Sequence, residues 1–157
     1  MPHGSGASQK HAPLQDLELA KKTLQVEGLS LTIVKENEVL FKSRESGVKS
    51  LVEAVGRCGS SLEGAAAADR VVGKAAAFIC VHAKLSNVYA HVMSRLGEAV
   101  LKRHSIPSHH NTLVPNILNR LGTDMCPFEK IVLEIDSPEE AFQMISHRLQ
   151  TAASPKA

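Results

Sequence analysis

The sequence predicts an α/β layer fold in which an antiparallel hairpin enters a partly parallel sheet. Two observations carry that reading. Short apolar runs alternate along the chain with helical patterns of about a dozen residues, the signature of strand–helix–strand units. Near the front of the chain, the runs Leu29-Ser-Leu-Thr-Ile-Val and Val39-Leu-Phe are separated only by the polar Lys35-Glu-Asn-Glu, which is hairpin spacing.

Taken in order, residues 1–13 are rich in Gly, Ser, His and Pro and are expected to form a disordered leader. From Leu14 to Glu27, Leu14, Leu17 and Leu24 with Ala20 keep helical spacing, and Gly28 stands at the C′ position. In the hairpin, Leu29, Leu31 and Ile33 alternate and are expected on one face. Ser46 is placed to cap a helix from Val48 to Arg57, and Gly59-Ser-Ser reads as a loop. The run from Gly64 to Asp69 is rich in Ala, which prefers helix. Its place between that loop and a helical pattern over Val71 to Ala83 favours a short buried strand, whose small side chains let a helix pack close. Ser86 to Met93 reads as a strand and Ser94 as the cap of a helix from Arg95 to His104. Ile106 to Leu113, interrupted by Pro107, is a short edge strand or a loop. Pro115 to Leu121 reads as one or two helical turns. Cys126-Pro127 opens another helix, and Ser137-Pro-Glu-Glu announces a last one to Gln150. Residues 152–157 are expected as a flexible tail, so 14–151 reads as a single domain without internal repeat or linker.

Composition narrows the function. The 157 residues are 43% hydrophobic, but 18 of them are Ala and only five are aromatic. Residues 14–151 carry 16 basic and 16 acidic side chains. A neutral domain with few aromatics lacks both the positive footprint and the stacking platforms of nucleic-acid binding. No run approaches the roughly 20 apolar residues of a membrane helix. Cys58, Cys80 and Cys126 are odd in number and well separated, which argues against a disulfide framework and for a reducing compartment. The N-terminus lacks the apolar core of a secretory signal, so cytoplasmic residence is expected.

Three features bear on chemistry. Gly73-Lys74 sits where a phosphate loop would end, but position 68, where its first Gly belongs, is Ala, and position 75, where Ser or Thr belongs, is also Ala. Gly73 for close helix packing and Lys74 as a solvated charge explain the pair equally well. Asp69 falls between strand and helix, where an N-cap role suffices. The stretch from Thr112 to Glu129 gathers Asn119, Arg120, Asp124, Cys126 and Glu129. A thiol at a helix N-terminus has its thiolate favoured by free amides and the helix dipole, while a buried, inert Cys is the plainer alternative. The eight His residues show no metal-ligand spacing: neither Cys-x-x-Cys nor His-x-x-x-His occurs. No Gly-x-Ser-x-Gly elbow exists.

The order of elements, with Ser43-Arg-Glu-Ser-Gly47, Asp69-Arg-Val-Val-Gly-Lys-Ala-Ala76, Asn119-Arg-Leu-Gly-Thr and Cys126-Pro-Phe-Glu129, resembles the prokaryotic family of uncharacterised proteins known as domain of unknown function 1893. The resemblance spans about residues 14–150. It implies a cytidine-deaminase-like fold, a three-layer α-β-α sandwich with a mixed sheet of about five strands, and it brings no assigned activity. Zinc deaminases need His-x-Glu at one helix N-terminus and Pro-Cys-x-x-Cys at another. No His here is followed two residues later by Glu, and the second motif survives only as Cys126-x-x-Glu129. The expectation is therefore that fold without catalytic zinc, and no other cofactor is implied.

In that fold the two motif-bearing helix N-termini converge, so Asp69, Gly73 and Lys74 are expected to face Cys126, Pro127 and Glu129. Three readings follow. The first is a binding module for a small anionic or nucleotide-like ligand, with Gly73, Lys74, Asn119 and Arg120 as ligand-binding residues. The second is an enzyme with Cys126 as nucleophile, supported by Lys74 and Asp69, with Glu129 as a further catalytic residue. The third is a structural protein that self-associates, because deaminase-like domains commonly pair through their helices into homo-oligomers.

Overall fold

The computed structural model describes residues 3–153. The first helix, α1 (His3–Glu27), ends at Gly28, whose φ of 66° is the left-handed conformation that glycine accepts without strain. Leu29 N–H returns to Leu24 O at 2.9 Å, the closing bond of a Schellman cap, and the two leucines pack together. That contact draws Leu29 to the α1 side of the sheet, whereas Leu31 and Ile33 join the core on the other face. Leu29 therefore does not share a face with its alternating partners. The helix already runs from His3, so the segment expected as a disordered leader is helical from there. Extending a helix that packing has nucleated costs little per residue.

The hairpin pairs β1 (Leu31–Lys35) with β2 (Glu38–Ser43). Its turn residues Glu36 and Asn37 both have positive φ, the pattern of a tight primed turn. Their backbone N–H groups donate to the two carboxylate oxygens of buried Asp16, at 2.9 and 2.8 Å, so α1 pins the turn. Next, α2 (Val48–Cys58) starts after Gly47, not from a Ser46 cap; Gly47 carries φ 84° and no side chain caps the helix. Gly59–Leu62 forms a 3-10 turn where a loop was expected.

The alanine run does form a strand, β3 (Ala66–Val72). Val71 and Val72 extend it by pairing with Val92 and Met93, so α3 (Lys74–His82) begins three residues later than the sequence pattern suggests. β4 (Asn87–Ser94), α4 (Arg95–Arg103) and β5 (Ser108–Val114) follow. Ser94 Oγ accepts from Gly97 N–H at 3.0 Å, the expected cap of α4. Pro115 to Leu121 is not helical. Ile117 to Cys126 fold into a narrow hairpin bridged at Leu118 and Met125, because Asn119 closes the turn onto Asp124 and Thr123, and Gly122 supplies its left-handed residue. The chain ends in α5 (Pro127–Val132) and α6 (Pro138–Ala153), the latter started by Ser137 Oγ accepting from Glu140 N–H. Residues 152 and 153 are helical, and 154–157 of the expected tail lie outside the described residues.

The five strands form one mixed sheet in the order β2-β1-β3-β4-β5, antiparallel across β2, β1 and β3 and parallel across β3, β4 and β5. α1 covers one face through Leu17, Ala20 and Leu24 on Val34, Ala66, Ala68 and Tyr89. The other helices cover the opposite face around Phe78, Ile79, Leu101 and Ile145, giving three α-β-α layers. Ala66, Ala67 and Ala68 are fully buried between the two helical layers and leave room for both to come close. Among the described residues, no helix is long and apolar enough to cross a membrane.

Candidate functional site

The site forms where β3 gives way to α3. Gly73 is the N-cap of α3, and Ala77 N–H donates to its carbonyl at 2.9 Å. The next two amides, Lys74 N–H and Ala75 N–H, both donate at 2.8 Å to the Glu129 carboxylate, one to each oxygen. A side chain from α5 thus occupies the positive end of the α3 dipole. The approach leaves no room at Gly73, where a Cβ would lie 2.5 Å from Glu129 Oε1 and 2.7 Å from Ile117 Cγ1. On its other side, a Cβ at Gly97 of α4 would lie 2.8 Å from Gly73 O. Two glycines therefore set the close crossing of three elements.

Lys74 answers Glu129 in the reverse direction. Its side chain is buried, and Nζ donates at 2.8 Å to Leu133 O, at the C-terminal end of α5. Glu129 thus grips the N-terminus of α3 while Lys74 grips the C-terminus of α5, where a cation suits the dipole. Burial raises the Glu129 pKa above the ordinary carboxylate value, against the lowering effect of the Ala75 and Lys74 amides and the Lys74 charge.

Beside this clamp lies a small cavity of about 70 Å³, bounded by Gly73 and Ala76 of α3, Cys126 and Glu129 of α5, Gly47 at the start of α2, and Ile117. Cys126 is the N-cap of α5, partly buried, with Pro127 at the first helical position as the sequence predicts. The uncapped N-terminus of α2 reaches the same cavity, a contribution the sequence did not point to.

Not every candidate residue arrives there. The structure brings together Gly73, the Lys74 backbone, Cys126 and Glu129. Asp69 is not an N-cap: it lies inside β3, four extended residues or about 13 Å before Gly73, and does not line the cavity. Desolvation by burial raises its pKa to about 7, against the hydrogen bonds from the Val71 and Arg70 amides. Asn119 is engaged in its own turn, donating to Thr123 Oγ1 and accepting from Thr123 N–H. Arg120 is exposed on the hairpin and lies outside the cavity lining. The Lys74 ammonium is directed at Leu133, not into the cavity.

The donor set does not suit the zinc that a deaminase-like fold implies. Both Glu129 oxygens are taken by α3 amides, and among the described residues Cys126 is the sole sulfur at the cavity and no His lines it. Among the described residues, no three His, Cys, Asp or Glu side chains assemble as a metal site. The histidines go elsewhere: His82 stacks on Phe142 with centroids 4.1 Å apart, and His91 Nδ1 lies 3.1 Å from Asn111 Nδ2.

Comparison with known proteins agrees with this architecture. The family model described as domain of unknown function (DUF1893) matches residues 19–149. The crystal structure of a DUF1893 family protein (TM1506) from Thermotoga maritima is 33% identical, covering 85% of this chain and 90% of that one, with a TM-score of 0.79. Acinetobacter baumannii RibD, of cytidine-deaminase-like fold, matches over 62% of this chain and 35% of its own at 16% identity, with a TM-score of 0.50, a likeness of fold alone. No curated protein matches.

Proposed function

The chain belongs to the DUF1893 family, a domain of unknown function, and from that premise we propose that it is a binding module for a small anionic or nucleotide-like ligand, held without zinc in the cavity between the N-termini of α2, α3 and α5. The observation that carries this reading is the pair of 2.8 Å hydrogen bonds from Lys74 and Ala75 N–H to Glu129. Free amides at a helix N-terminus bind oxyanions, and here they already hold one at the wall of a cavity. A ligand phosphate or carboxylate would take the same two donors as Glu129 turns aside. The raised pKa of Glu129 lowers the like-charge cost of that exchange, because the side chain neutralises more readily than an exposed carboxylate. About 70 Å³ accommodates the anionic group alone. The remainder of a nucleotide-sized ligand would lie across the Ile117–Cys126 hairpin, within reach of Asn119 and Arg120. Lys74 contributes positive potential in place of the direct contact its position in the sequence suggested. Three unpaired cysteines support a reducing, cytoplasmic setting.

Thermal unfolding with adenosine monophosphate and with inorganic phosphate tests the reading. Ligand binding to the native state alone should raise the melting temperature with concentration, and the Glu129→Gln variant, freed of the competing charge, should respond at lower ligand concentration. No stabilisation of either protein overturns it.

A second reading rests on Cys126, whose place in the cavity lining beside Glu129 favours an enzyme with a thiol nucleophile. Cys80 is buried and its thiol pKa is pushed up by desolvation, so it serves as an inert reference. Alkylation at neutral pH should label Cys126 well ahead of Cys58 and Cys80 if this reading holds; equal rates remove its motive. Asp69, within β3, takes no part in it.

A further inference from the structure

A second cavity, of about 350 Å³, opens on the opposite face of the sheet, beyond the C-terminal end of α1. Its apolar wall is Leu24, Leu29 and the buried ring of Tyr89; its polar side chains are Gln25, Arg70 and His91. β3, β4 and β5 run parallel and in register, Asp69 with Ala90 and His110, Val71 with Val92 and Thr112. Arg70, His91 and Asn111 therefore form a row across three neighbouring strands.

The row is preset as a set of donors. Arg70 Nε donates at 2.8 Å to Leu29 O, which fixes the guanidinium and, among the described residues, leaves both Nη groups for a ligand. The Asn111 amide nitrogen stands 3.1 Å from His91 Nδ1; with Nδ1 accepting from that amide, Nε2 is the ring nitrogen left to donate to a ligand. Among the described residues, no carboxylate lies within ion-pair distance of Arg70. The Lys21 ammonium lies 4.6 Å from the centre of the Tyr89 ring and is paired with Glu18 at 3.8 Å.

We propose that this cavity binds a small organic anion with a flat apolar part: a phosphate or carboxylate on Arg70 and His91, its apolar portion against Leu24, Leu29 and Tyr89. A mixed apolar and cationic lining of this volume is what such a ligand requires. The site is separate from the cavity at α3 and stands whether or not that cavity binds anything.

Titration of ¹⁵N-labelled protein with phenyl phosphate, with inorganic phosphate and benzyl alcohol as half-probes, tests it. The amides of Gly28, Leu29, Arg70 and His91 should shift saturably with phenyl phosphate, more weakly with inorganic phosphate, and not with benzyl alcohol, whether or not Lys74 and Ala75 respond to the phosphate group. Arg70→Ala should weaken binding about tenfold or more, as loss of a charge-assisted hydrogen bond does. His91→Gln, which keeps a side-chain donor, guards against a folding defect in the first variant and should bind more weakly than wild type but better than Arg70→Ala. Equal affinity for inorganic phosphate, unchanged binding by Arg70→Ala, or no saturable shift overturns the proposal. Shifts at these amides that follow protein concentration instead of ligand, the mark of a second copy covering this face, overturn it equally.

Discussion

Glu129 and Gly73 meet at a contact that tolerates no extra atom, and the consequences are specific. A Cβ at Gly73 would press on the Glu129 carboxylate and on Ile117 at once. Gly73→Ala should destabilise the fold by about 1–3 kcal/mol in urea unfolding, the usual cost of overpacking. Trimming Glu129 to Ala in that background should recover part of the loss, a coupling that a double-mutant cycle reads directly. Nothing in the sequence could reveal this contact. The two residues are 56 positions apart, and glycine before a helix has many explanations. What was legible was the type of place: Gly73-Lys74 and Cys126-Pro127 each marked a helix start, and both starts do face one cavity. Asp69 misled because an aspartate between a strand pattern and a helix pattern looks like a cap; the strand simply continued through Val71 and Val72.

At the scale of elements, α5 is six residues long and too short to be stable alone. Its position rests on buried Val132, on Pro127 at its start, and on the reciprocal clamp with α3. Glu129→Ala, which strands two buried amides, should cost about 2–4 kcal/mol by urea unfolding. It should also speed hydrogen exchange at Lys74 and Ala75, which the loss of an unrelated core contact would not do selectively. Elements with strong local signals were readable: the Gly28 stop, the Ser94 and Ser137 caps, the hairpin and the Pro127 start. Those whose form depends on a particular backbone pairing that no residue type announces were not. Pro115 to Leu121 has helix-compatible residues, yet becomes half of a hairpin because Asn119 closes on Asp124 and Cys126 N–H pairs with Ile117 O. Leu29 alternates in step with Leu31, yet the Schellman contact with Leu24 draws it to the other face.

For the whole molecule, the mix of antiparallel and parallel strands followed from hydrophobic period and element order, which determine which topologies are available, while the three-layer order was what the family resemblance implied. The alanine strand fits the same logic: fully buried Ala66–Ala68 is what lets helices approach from both sides. Stability of the whole should depend on pH through Asp69. A carboxyl whose folded pKa stands above its unfolded value binds protons more tightly in the native state. Its contribution therefore favours folding below about pH 4 and is lost as pH rises to about 7. The span from 3.8 to about 7 corresponds to about 4 kcal/mol. Urea unfolding should show the wild type losing stability from pH 4 to 8, with a flatter profile and greater stability at pH 8 for Asp69→Asn. The raised pKa of Glu129 acts in the same direction, so some slope should survive in that variant.

The central claim is that the N-terminus of α3 is an oxyanion site now filled by Glu129, and the Lys74 and Ala75 amide resonances report on it directly. Titrated with adenosine monophosphate, both should shift saturably, and at lower concentration in Glu129→Gln than in the wild type. If neither resonance moves in either protein up to about 10 mM ligand, beyond the weakest affinity a specific site would show, the claim is contradicted and the clamp is a structural joint alone.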